Sequence, residues 1–434
     1  MRPMLRLRRA GKLFVFIVTA LLVGAPGELR AQLAVLLEEP YSYDGTFAGT
    51  GHAAVYLERV CPESPTRLRR CSPGEQGAVI SRYHGIAGRD WIAVPLISYL
   101  YAVKNPEDIP LFVDRKLVGL LRQQYLDSLP LPEEKVPGAE GRYQLAGSAY
   151  DRTLYGFRIA TREDQDDELI RFLNASPNVG SYELLKRNCA DFVKQIVNFY
   201  YPKAIHRSII ADLGITTPKQ AAKSLVRSSK QHPEMQLTAF IIPQVPGLKR
   251  SRPVHGVLES LVLAKKYVTP VLLFHPFVVG TVEAAYWAGW RFDPAKDARI
   301  FDANSPNPAE QLESPLNAEE RRSYETLLGM MKKDALANDL PSWRTLERTA
   351  QPQLDERGQP VLEISLVGKT VPVGLCRGNA LRVAGSPELV QNLLLSRLEF
   401  ELKRTKPMRT SAAQVKNDWK LLGDALSRNR AALN

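Results

Sequence analysis

The chain has 434 residues, 44% of them hydrophobic, and a formal net charge of +12. That length and composition support two or three domains with at least one sizeable core, and they exclude a disordered or repeat chain. Residues 1–31 carry six positive side chains and one negative, so a chain starting at Gln32 keeps only about +7, a mild excess that carries no nucleic-acid-binding signature.

At the amino terminus a basic stretch (Arg2, Arg6, Arg8, Arg9, Lys12) precedes an apolar run from Leu13 to Val23 and small residues near Ala25 and Ala31. This is the pattern of a cleaved export signal over residues 1–31. A retained signal anchor is the alternative, with a run shorter than the roughly 20 residues a span needs. Either way the expected location is outside the cytosol, in the periplasm or cell envelope and possibly membrane-anchored, where the mild positive excess suits an anionic surface or lipid headgroups.

Residues 50–60 ("TGHAAVYLERV") alternate and are rich in strand formers, and residues 77–85 ("GAVISRYHG") predict a second strand that folds back on the first. Between them Cys61 and Cys71 bracket the loop "CPESPTRLRRC", which a disulfide could staple in an oxidising compartment. A helix is predicted over 113–129, a strand over 152–161 and a helix with an acidic start over 163–174.

The segment "YELLKRNCADFV" (182–193) places Asn188 as an N-cap and Cys189 at the first helical position, followed by an apolar stripe of Phe192, Val193, Ile196, Val197 and Tyr200 that ends before Pro202. Unpaired N–H groups and the helix dipole favour an anion there, which lowers a thiol's pKa. A further helix enters through Thr217 and Pro218, and a domain boundary is expected near residue 230.

Residues 267–290 lack Lys and Arg and are long enough to span a bilayer, while Pro270, Pro276 and Glu283 favour a buried helical hairpin or an interfacial segment; His275 within it is expected to be a packing residue. Helices are predicted over 317–336 and 386–404, with a hairpin over 360–378. The division is therefore 1–31 signal, 32–230 first domain, 231–295 linker and apolar helical segment, and 296–434 a mainly helical carboxy-terminal domain containing the hairpin.

A thiol hydrolase needs a cysteine at a helix start, a histidine within reach to hold the thiolate, and a polar group to orient the imidazole. Cys189 and His52 fill the first two places, and His84 is expected as the third, with Ser81 in its place if the strand register slips by one residue. His206, His232 and His255 offer the reverse order but lie on no comparable strand. Cys189 and Cys376 could instead bridge each other. No CxxC or His-x-x-x-His spacing is present, so no metal or other cofactor is expected.

"GHAAVYL" resembles the His-bearing strand of NlpC/P60-type papain-like proteins, and "YELLKRNCADFV" resembles the Asn-Cys-x-x-Phe helix start of their permuted, lecithin:retinol acyltransferase-like members. The resemblance covers roughly residues 45–225. It implies an α+β fold, a permuted papain-like core whose antiparallel sheet packs on the Cys-bearing helix, and a Cys-His thioester mechanism with the Cys189 backbone N–H, beside the Asn188 cap, serving an oxyanion hole.

The expected activity is that of an exported cysteine hydrolase (amidase or endopeptidase) cutting an amide or peptide bond of the cell wall or envelope. A lipid-directed acyltransferase or lipase of the same fold is the alternative. So is a non-catalytic, membrane-associated envelope binding protein in which Cys189 is a packed helix residue. The expected partners are a cell-wall peptide or an envelope lipid, with membrane association through 267–290.

Overall fold

The computed structural model describes residues 30–40, 50–83, 88–110, 113–129, 143–245 and 292–303, and parts of 248–260, 312–326 and 351–383. The chain folds as a mixed α+β protein around a seven-stranded sheet. Its strands are β1 (Arg30–Glu38), β2 (His52–Leu57), β5 (Ala78–Ser81), β6 (Ile92–Pro95), β7 (Leu154–Arg162), β8 (Thr238–Ile242) and β9 (Arg299–Ile300), in the order β6-β5-β2-β1-β7-β8-β9. All neighbours are antiparallel except the parallel pair β8 and β9.

Between β2 and β5, the segment expected as a loop is a two-stranded hairpin, β3 (Val60–Ser64) with β4 (Arg67–Arg70), closed by a disulfide between Cys61 and Cys71. The sheet takes β8 and β9 from beyond residue 230, so the boundary expected there falls within the chain that builds this sheet. The export signal lies outside the described residues except for Arg30 and Ala31, which pair with Arg162 and Thr161. The 267–290 segment lies outside them except for Phe277 and Gly280, and among the described residues no helix is long and apolar enough to cross a membrane.

Period-two alternation divides the side chains between two cores. Ala54, Tyr56 and Val79 enter the first, with helices α1 (Leu96–Tyr101) and α2 (Arg115–Asp127); Asp114 caps α2 by accepting from the Leu117 N–H at 2.7 Å. Ala53, Val55 and Leu57 enter the second, with α4 (Glu163–Ala175), α5 (Cys189–Tyr200) and α7 (Pro218–Ser229), which supply Leu169, Phe192, Val193, Ile196 and Leu225. The short helices α3 (Ser148–Asp151) and α6 (Ile209–Asp212) complete this part of the chain.

Coverage of both faces explains why Leu33 to Leu37 are all buried, each large apolar side chain contributing on the order of 1.5–3 kcal/mol. The described part of 351–383 is a second, four-stranded antiparallel sheet: β10 (Gln351–Leu354), β11 (Pro360–Leu366), β12 (Lys369–Gly374) and β13 (Arg382–Val383). The helix predicted over 317–336 lies largely outside the described residues, and that over 386–404 and Cys376 lie wholly outside them.

Gly51 and Gly156 are among the glycines that set close approaches. Gly51 has φ +69°, and a Cβ there would stand 2.0 Å from the Glu38 carbonyl oxygen, so only glycine lets β2 begin against the end of β1. In mid-β7, Gly156 leaves room for the Phe240 ring, whose Cζ would lie 2.0 Å from an added Cβ. Gly156→Ala is expected to lower the unfolding free energy by about 2–3 kcal/mol in chemical denaturation, with less effect in a Phe240→Leu background, because the smaller side chain vacates the contested space.

Candidate functional site

The sequence-predicted residues gather where the start of β2, the end of β5 and the amino-terminal turn of α5 meet. His52 stacks on Tyr83 with ring centroids 5.1 Å apart. Its Nε2 lies 2.9 Å from Ser81 Oγ, and that hydroxyl donates to the Ala53 carbonyl at 2.9 Å. A hydroxyl has one proton, so with that proton given to the Ala53 carbonyl the contact is made by a hydrogen on His52 Nε2. Ser81, the fallback position, is thus the residue at His52; His84 lies outside the described residues.

The cap on α5 is built as its sequence suggests. Asn188 Oδ1 accepts from the Asp191 N–H at 2.9 Å, while Asn188 Nδ2 donates to the Leu184 carbonyl at 2.9 Å and the Thr216 carbonyl at 3.0 Å. Both amide hydrogens are therefore engaged, leaving neither for an oxyanion.

Cys189 is the free thiol among the described residues, since Cys61 and Cys71 are consumed by their disulfide. Burial pushes its pKa up to about 11, against the opposing pull of the Ala53 and Ala190 N–H groups and the Tyr182 hydroxyl. The helix start was expected to lower this pKa; desolvation outweighs it. Burial, reinforced by the positive charge of Arg152, takes His52 down to about 3. At neutral pH both groups are uncharged.

These findings overturn the cysteine-hydrolase expectation, and with it the acyltransferase and lipase variants that use the same thioester. Two of the three described cysteines are locked together, and the third is a buried thiol whose pKa is raised by burial and not lowered, so it is not held as a thiolate. The descriptions hydrolase and cysteine nucleophile fall with the mechanism.

Behind His52 lies a buried acidic network that sequence reasoning missed. Glu38 pairs with Arg152 at 3.5 Å and accepts from the Tyr99 hydroxyl. Glu39 accepts from the Tyr155 hydroxyl at 2.6 Å and from the Ser251 hydroxyl. The available signal was two consecutive acids closing the apolar run "LAVLLEE", a pattern that places a charge at the end of a buried strand.

No family model matches the chain, and comparison with curated proteins and with solved structures gives no match either. The papain-like resemblance therefore rests on the two short motifs.

Proposed function

We propose that the chain is a non-catalytic binding protein of an oxidising, exported compartment, built on a permuted papain-like frame and directed at a cell-wall peptide. The observation that carries this reading is the coexistence, in one chain, of a disulfide and a thiol that stays free because it is sealed and protonated. Disulfides persist where the surroundings oxidise, and a free thiol endures there when it is buried. The frame is supported by the antiparallel strand that carries His52 and the N-capped helix that begins at Cys189 and packs against it.

The test is incubation of the purified protein, and of Cys189→Ala, with peptidoglycan fragments, with cosedimentation reading retention and mass spectrometry reading products. The expected result is equal retention of both proteins and no product, together with very slow labelling of native Cys189 by a thiol reagent at neutral pH that accelerates on unfolding. Release of a fragment that Cys189→Ala abolishes, or absence of retention, overturns the proposal.

A further inference from the structure

At the amino-terminal end of α5, four large aliphatic side chains stand in the open: Leu184 is 54% exposed, Leu185 57%, Ile209 81% and Leu213 59%. They come from two short segments. In the first, Glu183 and Arg187 exchange backbone hydrogen bonds of 3.1 and 2.9 Å, setting Leu184, Leu185 and Lys186 at the tip of a closed turn. In the second, Ser208 Oγ accepts from the Ala211 N–H at 3.1 Å and the Gly214 N–H donates to the Ser208 carbonyl at 3.0 Å, so that α6 and Leu213 form a compact loop.

The two segments are tied into one platform. Asn188 Nδ2 donates to a carbonyl on each side, Leu184 and Thr216. Arg207 donates to the Lys186 carbonyl at 3.4 Å and to Asp191 at 2.9 Å, and Asp191 also accepts from the Thr216 hydroxyl at 2.6 Å. The leucines are thus presented on a framework fixed before any partner arrives, which lowers the ordering cost of association. Four such side chains expose apolar surface on the order of a few hundred Å², comparable to the largest patch of a typical monomer, which is often functional.

Leu213 carries a second, independent sign. Its φ is +53°, the left-handed region, where glycine or asparagine sits without strain and a leucine costs roughly 1 kcal/mol. Folding of one chain alone would favour a small polar residue at this position on both counts, backbone and exposure. A strained, exposed leucine points to a contact made outside the monomer.

We propose that this face pairs with the same face of a second copy of the chain to form a two-fold dimer. A two-fold contact must be self-complementary, and the turn is: exposed Glu183 and exposed Lys186 flank the leucine pair with opposite signs, so an axis beside Leu184 and Leu185 sets Glu183 of one copy against Lys186 of the other. Of the neighbouring cations, Arg207 pairs with Asp191 at 2.9 Å, and Arg187 shares Asp90, at 3.0 Å, with the buried Arg82. Cations held in such pairs suit the polar rim of an interface.

Sedimentation velocity of the full chain over a wide concentration range tests the pairing. The expected result is a monomer–dimer equilibrium that Leu213→Asn weakens at least tenfold without lowering the melting temperature. Glu183→Lys and Lys186→Glu should each weaken it, and the double exchange Glu183→Lys/Lys186→Glu should restore it, a recovery that only a self-complementary contact gives. A chain that stays monomeric at every concentration, whether or not it sediments with anionic vesicles, overturns the proposal. So does a dimer indifferent to Leu213→Asn and to the charge exchanges.

Discussion

Glu38→Gln is expected to lower the unfolding free energy by about 3–5 kcal/mol at neutral pH, the cost of breaking a buried ion pair from one side. Glu38 and Arg152 are both buried, with 3.5 Å between them. The guanidinium cannot shed its proton, so loss of the carboxylate removes negative charge from beside a buried cation that also acts on the His52 ring. Glutamine keeps the shape and an acceptor for the Tyr99 hydroxyl, which confines the effect to charge. Paired replacement, Glu38→Gln with Arg152→Met, should recover most of the loss, since removing both members of a buried pair is far milder than removing one. Chemical denaturation of the two single variants and the double variant reads the coupling directly; additive losses would show that the pair does not hold this end of the sheet.

Asp166→Asn is expected to act in the opposite direction. Asp166, in the first turn of α4, accepts from the Tyr200 hydroxyl at 2.7 Å and lies 3.6 Å from Arg70, and burial pushes its pKa up to about 6. A carboxyl whose folded pKa exceeds its unfolded value of about 3.9 favours the folded state when protonated, so its contribution is full below about pH 4 and is lost as pH rises toward 6. Two units correspond to roughly 3 kcal/mol that the folded protein forgoes at pH 7. Asparagine keeps an acceptor for Tyr200, and Arg70 retains Asp167 at 2.6 Å. Asp166→Asn should therefore gain about 2 kcal/mol at pH 7 and flatten the stability profile between pH 4 and 6. Unchanged slopes in urea melts across that range would refute the assignment.

The parts of this fold legible in the sequence are those whose pattern is local. Alternation over 50–60 and 77–85 gives β2 and β5, and folding one strand back on the other places Ser81 near His52. The N-cap at Asn188 and the stripe from Phe192 to Tyr200 give α5. β1 was hidden because a strand buried on both faces reads as a continuous apolar run without alternation, and its first two residues fall within the stretch expected as the export signal. Parity groups His52 with Ala54 and Tyr56, but nothing local tells which face α5 will cover. The same gap misplaced the chemistry at Cys189: its favourable helix start is written in neighbouring residues, whereas the burial that dominates its pKa comes from distant strands. The exposed leucines of the 183–187 turn and the 208–214 loop carry no periodicity, so only the structure brings them together.

The place of β1 also constrains how the molecule can come into being. The earliest described segment of the chain is flanked by β2 on one side and β7 on the other, and β7 begins only at Leu154. A chain that emerges end first, from a ribosome or through a membrane pore, therefore carries half of its central strand's hydrogen-bonding groups unpaired until more than a hundred further residues have followed. The buried run "LAVLL" stays exposed for all of that interval, and it is the stretch an export chaperone or an aggregation partner would meet first.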